Sequence, residues 1–294
     1  PSGWIQPGYG EARSMSGSAQ FKERYPGWAL VTGATAGIGS AIAEQLAAGG
    51  MNVVLVARNA SRLEERAREL RDRYRVDVDV RSADLSTRTG VDALIEAEGD
   101  REVGVLVPCA AVEERGYLVD GALEAHQRLL DMDCYGPMRL AQHFGHGMAQ
   151  RGNGAILFVS SLSGWSAQPY MAHYGAAKAY VLSLGEAMHQ EMKDKGVDVS
   201  VLSPGPTDTA MAQDINAELV KMGMAVMNPD DVARAGLSAL GKRPNAVPGA
   251  RNRMMIVMMT RLMPRSWTGA MFRSMMRRVL KIGRSAKGPH QQAA

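Results

Sequence analysis

The sequence predicts an α/β fold built on one doubly wound parallel sheet, and two observations lead to this prediction. Apolar runs of strand length alternate with helical patterns of roughly ten to fifteen residues along most of the chain, as in the crossover units of a parallel sheet. The chain has 294 residues and is 46% hydrophobic, which is enough for one sizeable core. We therefore expect one such domain at residues 21–249, a flexible extension at 1–20, and a basic, Met-rich helical tail at 250–294.

Each element is predicted from its own pattern, taken in chain order. The predicted strands are short apolar runs, and they cover 29–31, 52–57, 76–80, 103–107, 155–160, 197–202 and 246–247. The predicted helices have apolar residues at helical spacing, and they cover 40–48, 61–73, 87–98, 118–132, 133–150, 172–195, 211–222 and 229–240. Ser61 and Glu64 have the spacing of a capping box. The methionines around 211–227 fit either an adaptable wall of an apolar pocket or the core of a lid helix.

The first strand leads directly into a glycine-spaced loop, Thr32 to Gly39. Gly33 permits a tight turn, Gly37 lets a pyrophosphate approach the backbone, and Gly39 lets the next helix pack closely on the strand. Free backbone N–H groups and the positive end of a helix dipole meet at such a turn, so an anion is the expected ligand. Because the spacing is Gly-x-x-x-Gly-x-Gly, an ordinary glycine-rich turn is the alternative interpretation.

The formal net charge of +4 is unevenly distributed. Residues 250–294 contain ten Lys and Arg and no Asp or Glu, which leaves a net charge of −6 on residues 1–249. A basic body for nucleic acid is therefore not indicated. The two cysteines, Cys109 and Cys134, favour a reducing compartment, and neither a signal peptide nor a membrane span is evident. We expect a cytoplasmic protein.

Two further residues have a spacing that suggests proton transfer. Tyr174 and Lys178 are four residues apart on a predicted helix, so their Cβ atoms lie about 5–6 Å apart on one face. An ammonium group there lowers the pKa of the phenol and lets the hydroxyl exchange a proton with a substrate oxygen. Ser161, at the end of a predicted strand, is placed to hold the same oxygen. A surface pair of unrelated side chains is the alternative for Tyr-x-x-x-Lys alone.

Together these motifs resemble the classical short-chain dehydrogenases/reductases. The glycine loop, Asp84-Leu85, Ser161, Tyr174-x-x-x-Lys178 and Pro204-Gly205-x-x-x-Thr209 occur in the family's order and spacing, over about residues 27–248. The segments FKERYPGWALVTG and VPGARNR resemble a bacterial branch related to steroid and 3-oxoacyl reductases. The resemblance implies a Rossmann fold, a homodimer or homotetramer, and nicotinamide-dependent interconversion of a carbonyl and an alcohol.

The resemblance also implies the roles of individual residues. The expected catalytic residues are Ser161, Tyr174, Lys178 and Asp133. The residues expected to bind the cofactor are Gly33, Thr35, Ala36, Gly37, Ile38, Gly39, Arg58, Asp84, Leu85, Cys109, Ala110, Tyr174, Lys178, Pro204, Gly205, Thr207 and Thr209. Asp84 is expected to accept from the adenine amino group and Leu85 to pack on the ring. Thr207 and Thr209 are expected on the carboxamide and phosphate side.

Two departures from the family pattern bear on activity. Where the family has Asn-Asn-Ala-Gly, this chain has Pro108-Cys109-Ala110-Ala111, so we expect altered bracing of the sheet and altered ribose contacts. Where the family's fourth catalytic residue is an asparagine, this chain has Asp133. An ionised carboxylate there attracts Lys178 and weakens the effect of the lysine on Tyr174. The departures leave two alternatives to a reductase: a nucleotide-binding regulator or scaffold without turnover, and a non-redox enzyme for dehydration or cyclisation.

The cofactor prediction depends on the end of the second strand. NAD enzymes place an acidic residue there for the ribose, whereas this chain has Ala57 followed by Arg58. Because a guanidinium suits a 2′-phosphate, NADP(H) is preferred over NAD(H), with simple solvation of the strand end as the alternative for Arg58. No metal is expected, since His143 and His146 lack an evident partner ligand.

The tail combines apolar and basic residues over 254–282. An amphipathic basic helix binds an anionic bilayer surface, which would place the protein at the inner membrane surface. The same helix is equally suited to packing within an oligomer, and it could also cover the substrate site. The expected substrate is an apolar ketone, or an acyl or steroid-like compound.

Overall fold

The computed structural model describes residues 19–282, which form a seven-stranded parallel sheet covered by helices on both faces. The strands are β1 (Trp28–Thr32), β2 (Asn52–Ala57), β3 (Val78–Ser82), β4 (Val103–Val107), β5 (Gly154–Val159), β6 (Val197–Leu202) and β7 (Asn245–Ala246). Their order is β3-β2-β1-β4-β5-β6-β7, and every pair is parallel. The order reverses between β1 and β4, and ligands of such sheets bind at that switch point, outside the carboxyl ends of the strands. The predicted doubly wound Rossmann fold is confirmed.

The helices occupy both sides of this sheet. They are α1 (Ala19–Arg24), α2 (Gly37–Ala48), α3 (Ala60–Tyr74), α4 (Arg88–Glu98), α5 (Leu123–Leu130), α6 (Gly136–Arg151), α7 (Ala172–Glu191), α8 (Gln213–Lys221), α9 (Pro229–Ala239), α10 (Ala250–Val257) and α11 (Arg265–Val279). Residues of α2, α3 and α9 pack on one face, and residues of α4, α6 and α7 on the other. Successive residues of β1 alternate between the two cores, with Val31 in the first and Leu30 in the second.

The sequence-based boundaries of the buried strands are correct to within one residue, since β1 extends one residue further at each end than predicted and β5 begins and ends one residue earlier. β2, β4 and β6 have the predicted limits, while β3 begins two residues later than predicted. The predicted capping box of α3 is wrong: Asn59, not Ser61, caps the helix by accepting from the backbone N–H of Arg62. The Ser61 hydroxyl instead donates to the Asn59 side chain.

The predicted break between residues 132 and 133 is absent, because α5 continues into α6 through one π-helical turn, Asp131–Tyr135. Single π-helical turns are frequent at functional sites because they redirect side chains by one position. Here the turn contains Asp133, whose side chain is completely buried.

The described part of the tail packs onto the domain. α10 continues through a second π-helical turn, Met258–Leu262, and α11 packs on α8 and on the segment around Tyr170 and Met171. Residues 1–18 and 283–294, which belong to the predicted extension and tail, lie outside the described residues. Within residues 19–282, no helix combines the length and apolarity that crossing a bilayer requires.

Candidate active site

A cavity of about 930 Å³ opens at the switch point of the sheet and collects most of the predicted site residues. The predicted residues that line it are Gly33, Thr35, Ala36, Gly37, Ile38, Gly39, Arg58, Leu85, Cys109, Ala110, Ser161, Tyr174, Lys178, Pro204, Gly205, Thr207 and Thr209. Asp84 and Asp133 are not among its lining residues. The predicted role of Asp84 therefore stays a prediction, since its carboxylate accepts from the backbone and hydroxyl of Ser86.

The glycine loop forms one end of the cavity. Gly33 has a φ of +68° and its α-carbon lies so close to Ala110 that an added Cβ would be 3.0 Å from that backbone. At Gly39, an added Cβ would be 2.4 Å from the carbonyl oxygen of Gly33. α2 then begins at Gly37, and the N-cap residue Ala36 offers no side-chain acceptor to the first N–H groups of the helix. These unsatisfied donors give the cavity an anion-binding end.

Two arginines lie at the rim of this end. Arg58 follows β2 directly, and Arg62 lies in the first turn of α3; both are exposed and both line the cavity. Within residues 19–282, neither guanidinium has a carboxylate within 4 Å. The sequence predicts Arg58 at this site but not Arg62, because Arg58 precedes the N-cap of α3 and no helical spacing relates the two residues.

The altered segment after β4 retains a brace. The Thr32 hydroxyl accepts from the backbone N–H groups of both Cys109 and Ala110, at 2.9 Å each. Thr32 is 1% exposed, and the two donor residues are half-buried at the wall of the cavity. This brace needs only main-chain donors, which Cys109 and Ala110 supply, so the segment is held to β1 without an asparagine side chain; the expected change in bracing and ribose contacts stays a prediction. Burial raises the pKa of the Cys109 thiol to about 11, which fits a packing residue.

The three residues of the predicted proton-transfer site come from two elements. Ser161 follows β5, and its hydroxyl accepts from the backbone N–H of Ser163. Tyr174 and Lys178 lie on α7, where the lysine Nζ is 5.5 Å from the centre of the phenol ring. The Ser160 hydroxyl donates to the carbonyl oxygen of Lys178 at 2.7 Å and fixes α7 against the end of β5. All three side chains face the same cavity as the glycine loop.

Asp133 does not line the cavity but contacts Lys178. Its Oδ2 lies 3.0 Å from the lysine Nζ, with both side chains almost fully buried, and its Oδ1 accepts from the backbone N–H of Val112 at 2.8 Å. Burial raises the pKa of Asp133, and the ammonium of Lys178 opposes this effect. Burial alone would lower the pKa of Lys178, but the carboxylate and the Tyr174 side chain outweigh it, so this pKa lies above its ordinary value. The pKa of Asp133 and the pKa of Lys178 therefore both lie above their ordinary values, and the two side chains contact each other at 3.0 Å.

The charges around Tyr174 oppose one another. Burial raises the pKa of Tyr174, the ammonium of Lys178 lowers it, and the carboxylate of Asp133 raises it again. Ser161 and Arg115 lower it by smaller amounts, and the sum leaves the pKa of Tyr174 above its ordinary value. The contact at 3.0 Å brings Asp133 and Lys178 together, while the expected effect of the carboxylate on catalysis stays a prediction.

The other end of the cavity is apolar and is covered by α8, α10 and α11. The side chains that line it are Met171, Met211, Ile215, Leu219, Met224, Met255, Phe272, Met275 and Met276. The methionines of the predicted lid thus form both a wall of the cavity and a small core with α11, in which Leu219, Met224 and Met275 pack together. Three roles were expected for the tail, and its described residues show one of them: they cover the cavity, which Met255 and Phe272 line.

Arg115 ties this cover to the body, and no local signal in the sequence indicates it. Its guanidinium contacts Glu113 in the loop after β4, Asp214 at the start of α8, and the carbonyl oxygen of Met211. The side chain of Arg115 is 17% exposed, so the ion pairs are partly shielded from water.

A parallel sheet with an anion-binding glycine loop and a Tyr-Lys pair at its switch point defines a dinucleotide-binding protein of the dehydrogenase class. Residues 27–220 match the short chain dehydrogenase family, and the chain belongs to that family. It is 32% identical over 237 residues to a 7beta-hydroxysteroid dehydrogenase of Mediterraneibacter gnavus, an alignment that covers 79% of this chain and 90% of the relative.

Two solved structures resemble the whole fold. A structure reported for the stereoselectivity of 7beta-hydroxysteroid dehydrogenase has a TM-score of 0.81 at 29% identity and covers 86% of this chain and 98% of that chain. A short-chain dehydrogenase from Sphingobium yanoikuyae in complex with NADPH has a TM-score of 0.68 at 26% identity and covers 90% of this chain and 99% of that chain.

Proposed function

We propose that this chain is an NADP(H)-dependent oxidoreductase that interconverts a ketone and a secondary alcohol on a bulky apolar substrate of steroid or acyl type. The observation that carries the proposal is a single cavity that contains the anion-binding glycine loop, the Ser161–Tyr174–Lys178 group and a large apolar end. Membership of the short chain dehydrogenase family supports the reaction type.

The preference for NADP(H) rests on charge. Arg58 and Arg62 offer two guanidinium groups at the end of β2, where an NAD-binding chain places an acidic residue. Guanidinium groups bind phosphate oxygens in bidentate fashion, so the pair suits the 2′-phosphate. The NADPH complex of the similar Sphingobium yanoikuyae protein supports the same choice.

The proposed chemistry assigns one task to each side chain. A bound nicotinamide supplies or accepts the hydride at the substrate carbon. In the reductive direction the Tyr174 hydroxyl donates its proton to the substrate oxygen, and the Ser161 hydroxyl donates a hydrogen bond to that oxygen. Lys178 stabilises the phenolate that remains, because its ammonium lies 5.5 Å from the ring centre. In the oxidative direction the phenolate takes the alcohol proton back.

The substrate class rests on the apolar end of the cavity. Methionines predominate among its lining residues, and unbranched, polarisable side chains adapt to large rings better than branched ones. Phe272 adds a flat aromatic surface from α11. The 7beta-hydroxysteroid dehydrogenases among the similar proteins support a steroid-like ketone over a small polar one.

The test follows nicotinamide absorbance with a panel of 7-oxosteroids, bulky aromatic ketones, a 3-oxoacyl thioester and polar keto sugars as a contrast. We expect NADPH oxidation with at least one lipophilic ketone, and loss of that activity in Tyr174→Phe with retained NADPH binding. Turnover of the sugars alone would contradict the substrate class. Product formation without a change in nicotinamide absorbance would contradict redox chemistry.

The Asp133–Lys178 ion pair favours one second candidate, a nucleotide-binding protein without redox turnover. A carboxylate 3.0 Å from the ammonium of Lys178 offsets its positive charge, and this weakens the stabilisation of the Tyr174 phenolate. If the protein binds nucleotide without redox turnover, we expect NADPH to bind to the wild type and to Tyr174→Phe with equal affinity. No compound of the panel is then turned over. Restoration of turnover by Asp133→Asn would identify the carboxylate as the cause.

A further inference from the structure

Four apolar side chains are exposed along α10 and the π-helical turn that continues it, and they form an apolar stripe. Met254, Val257, Met258 and Leu262 are exposed by 70%, 53%, 39% and 75%. Spacings of three and four residues place Met254, Val257 and Met258 on one helix face, and Leu262 ends the π-helical turn, while Ile256 and Met259 are buried. Four large apolar side chains in one row on a surface require a partner for their burial.

Arginines flank this stripe. Arg251 precedes Met254 by three residues, Arg253 precedes Val257 by four, and Arg261 follows Val257 by four, so each lies beside the stripe. All three are exposed. Of the cationic residues at 250–282, Lys281 alone has a carboxylate within 4 Å among the described residues, namely Glu218 at 3.8 Å. The positive charge around the stripe is therefore not neutralised by the described part of the chain.

The neighbouring helix α11 also exposes large apolar and aromatic side chains. Trp267 is 66% exposed and Met271 is 38% exposed, one helical turn apart. Tryptophan with arginine is the composition typical of helices that lie at a membrane–water interface. The inner sides of the same two helices line the cavity through Met255, Phe272 and Met275. The helix pair thus has an apolar cavity wall inside and an apolar, cationic surface outside.

We propose that the lipid-facing surface, defined as Arg251, Arg253, Met254, Val257, Met258, Arg261, Leu262 and Trp267, docks on an anionic phospholipid bilayer. Charge selects this occupant, because lipid headgroups supply the negative partner that the described chain lacks. A two-fold contact between two copies would bring two such cationic surfaces together. The docking does not depend on the proposed reaction, but it would present the apolar end of the cavity to lipid-soluble substrates.

The test is co-sedimentation of the full chain with vesicles of phosphatidylcholine alone or of phosphatidylcholine with phosphatidylglycerol. We expect sedimentation with the anionic vesicles and its loss at high salt, because exposed charge interactions are screened. The apolar variant M254Q/V257Q/M258Q/L262Q is expected to stay in the supernatant. Its matched control, L118Q/L123Q, removes exposed leucines elsewhere, at 49% and 65% exposure, and is expected to sediment like the wild type.

The charge variant R251Q/R261Q isolates the electrostatic part. We expect its partition onto anionic vesicles to fall about 30-fold, since each cation near an anionic surface contributes about 1 kcal/mol. The control R68Q/K242Q removes two exposed cations from the body and is expected to retain wild-type partition.

Three outcomes would overturn the proposal: no sedimentation with either vesicle, equal sedimentation with both, or a charge variant that partitions like the wild type. Light scattering after size exclusion identifies the alternative occupant. A wild-type dimer that becomes monomeric only in the apolar variant, without lipid binding, would assign the surface to a second copy. NADPH binding and ketone turnover are measured on the same variants without lipid, so a failure of the proposed function is recognised separately.

Discussion

The carboxylate of Asp133 lies 3.0 Å from the ammonium of Lys178, both side chains are almost fully buried, and the ammonium lies 5.5 Å from the centre of the Tyr174 ring. A buried ion pair of this kind consumes much of the field that the lysine would otherwise exert on its other neighbours. The titratable and charged groups around the pair are His173, Cys109 and Cys134, and Arg115 also acts on Tyr174. Within residues 19–282, Lys178 is the one cationic side chain that lies within 4 Å of the Asp133 carboxylate, so Asp133 is the group to vary.

Asp133→Asn is expected to shift the pH dependence of alcohol oxidation to lower pH by about one unit. Oxidation needs the Tyr174 phenolate, and the pKa of Tyr174 lies above its ordinary value partly because of the Asp133 charge. In the wild type the oxidation rate therefore rises with pH into the alkaline range, while reduction, which needs the protonated phenol, is retained at neutral pH. Asparagine removes the negative charge and thereby lowers the pKa of Tyr174. The rise of the oxidation rate with pH therefore begins at lower pH.

The measurement is kcat/KM for oxidation and reduction across the pH range, in wild type and Asp133→Asn. Asparagine keeps an oxygen acceptor for the N–H of Val112, so the loop position is preserved. A rising limb at the same pH in both proteins would show that the carboxylate does not set the protonation of Tyr174.

The same pair predicts a non-additive effect on stability. Lys178→Met leaves the Asp133 carboxylate buried without its cation and is expected to cost about 3–5 kcal/mol. Adding Asp133→Asn removes the uncompensated charge, so the double variant is expected to be more stable than Lys178→Met alone. Denaturant unfolding of the four proteins of this cycle checks the sign. A double variant less stable than Lys178→Met would mean that the aspartate is buried in its neutral form.

Arg58→Ala and Arg62→Ala are each expected to weaken NADPH binding and to leave NADH binding unchanged. A hydrogen bond to a charged partner contributes about 1.5–3 kcal/mol, which corresponds to a loss of about 10- to 150-fold in affinity. Titration of each variant with both cofactors, followed by nicotinamide fluorescence, gives the ratio of the dissociation constants of variant and wild type for NADPH and for NADH. Arg68→Ala, an exposed arginine further along α3, serves as the control. Equal losses for both cofactors would place the arginines on a part that NADH and NADPH share.

The sequence could predict the sheet because most of its strands are buried on both faces. β2 and β4 are continuous apolar runs, whose limits coincide with the limits of apolarity. β3 lies at the edge and has the polar sequence VDVRS, so its hydrophobic pattern does not mark where pairing begins. The cap of α3 was assigned wrongly because Asn59 and Ser61 are both good caps, and the choice depends on where the chain turns after β2.

The site could be predicted where its residues are close in sequence. The glycine loop and the Tyr174–Lys178 pair are local motifs, and their placement in one cavity follows from the topology of the sheet. The brace from Thr32 to Cys109 and the link from Arg115 to Asp214 join residues that are 77 and 99 positions apart. Periodicity and spacing carry no information on such pairs. The contact of Asp133 with Lys178 was expected only through the family resemblance, which supplied the position of the asparagine.

The Thr32 brace predicts a specific loss of stability. Thr32→Val preserves the shape of the side chain but leaves the half-buried N–H groups of Cys109 and Ala110 without their acceptor. We expect a decrease in the free energy of unfolding of about 1–3 kcal/mol for each stranded donor. Thr32→Ser restores the hydroxyl and should recover most of the loss, as measured by urea unfolding. A Thr32→Val protein as stable as the wild type would show that water or a small rotation satisfies both donors.

From the contacts of Arg115 we predict that its substitution changes substrate binding more than the chemical step. Its guanidinium joins the loop after β4 to Asp214 and to the carbonyl oxygen of Met211, which lines the cavity. Arg115→Met removes these contacts, so the cover formed by α8 should open more often and hold a bulky ketone less well. We expect KM for the ketone to rise several-fold, with a smaller change in kcat, because Ser161 and Lys178 lie on other elements. Hydrogen exchange at residues 210–221 should become faster in this variant.

Asp214→Asn is the matched control, since it removes only the exposed partner of Arg115 and leaves the bond to Met211 in place. Because surface ion pairs contribute about 0–1 kcal/mol, this variant should show a much smaller change in KM and exchange. An equal effect of the two variants would mean that the ion pair, rather than the bond to the backbone, holds the cover. Unchanged exchange in Arg115→Met would show that α8 is held by its contacts with α11, in which Leu219 and Val279 pack together, and would shift the next variants to that interface.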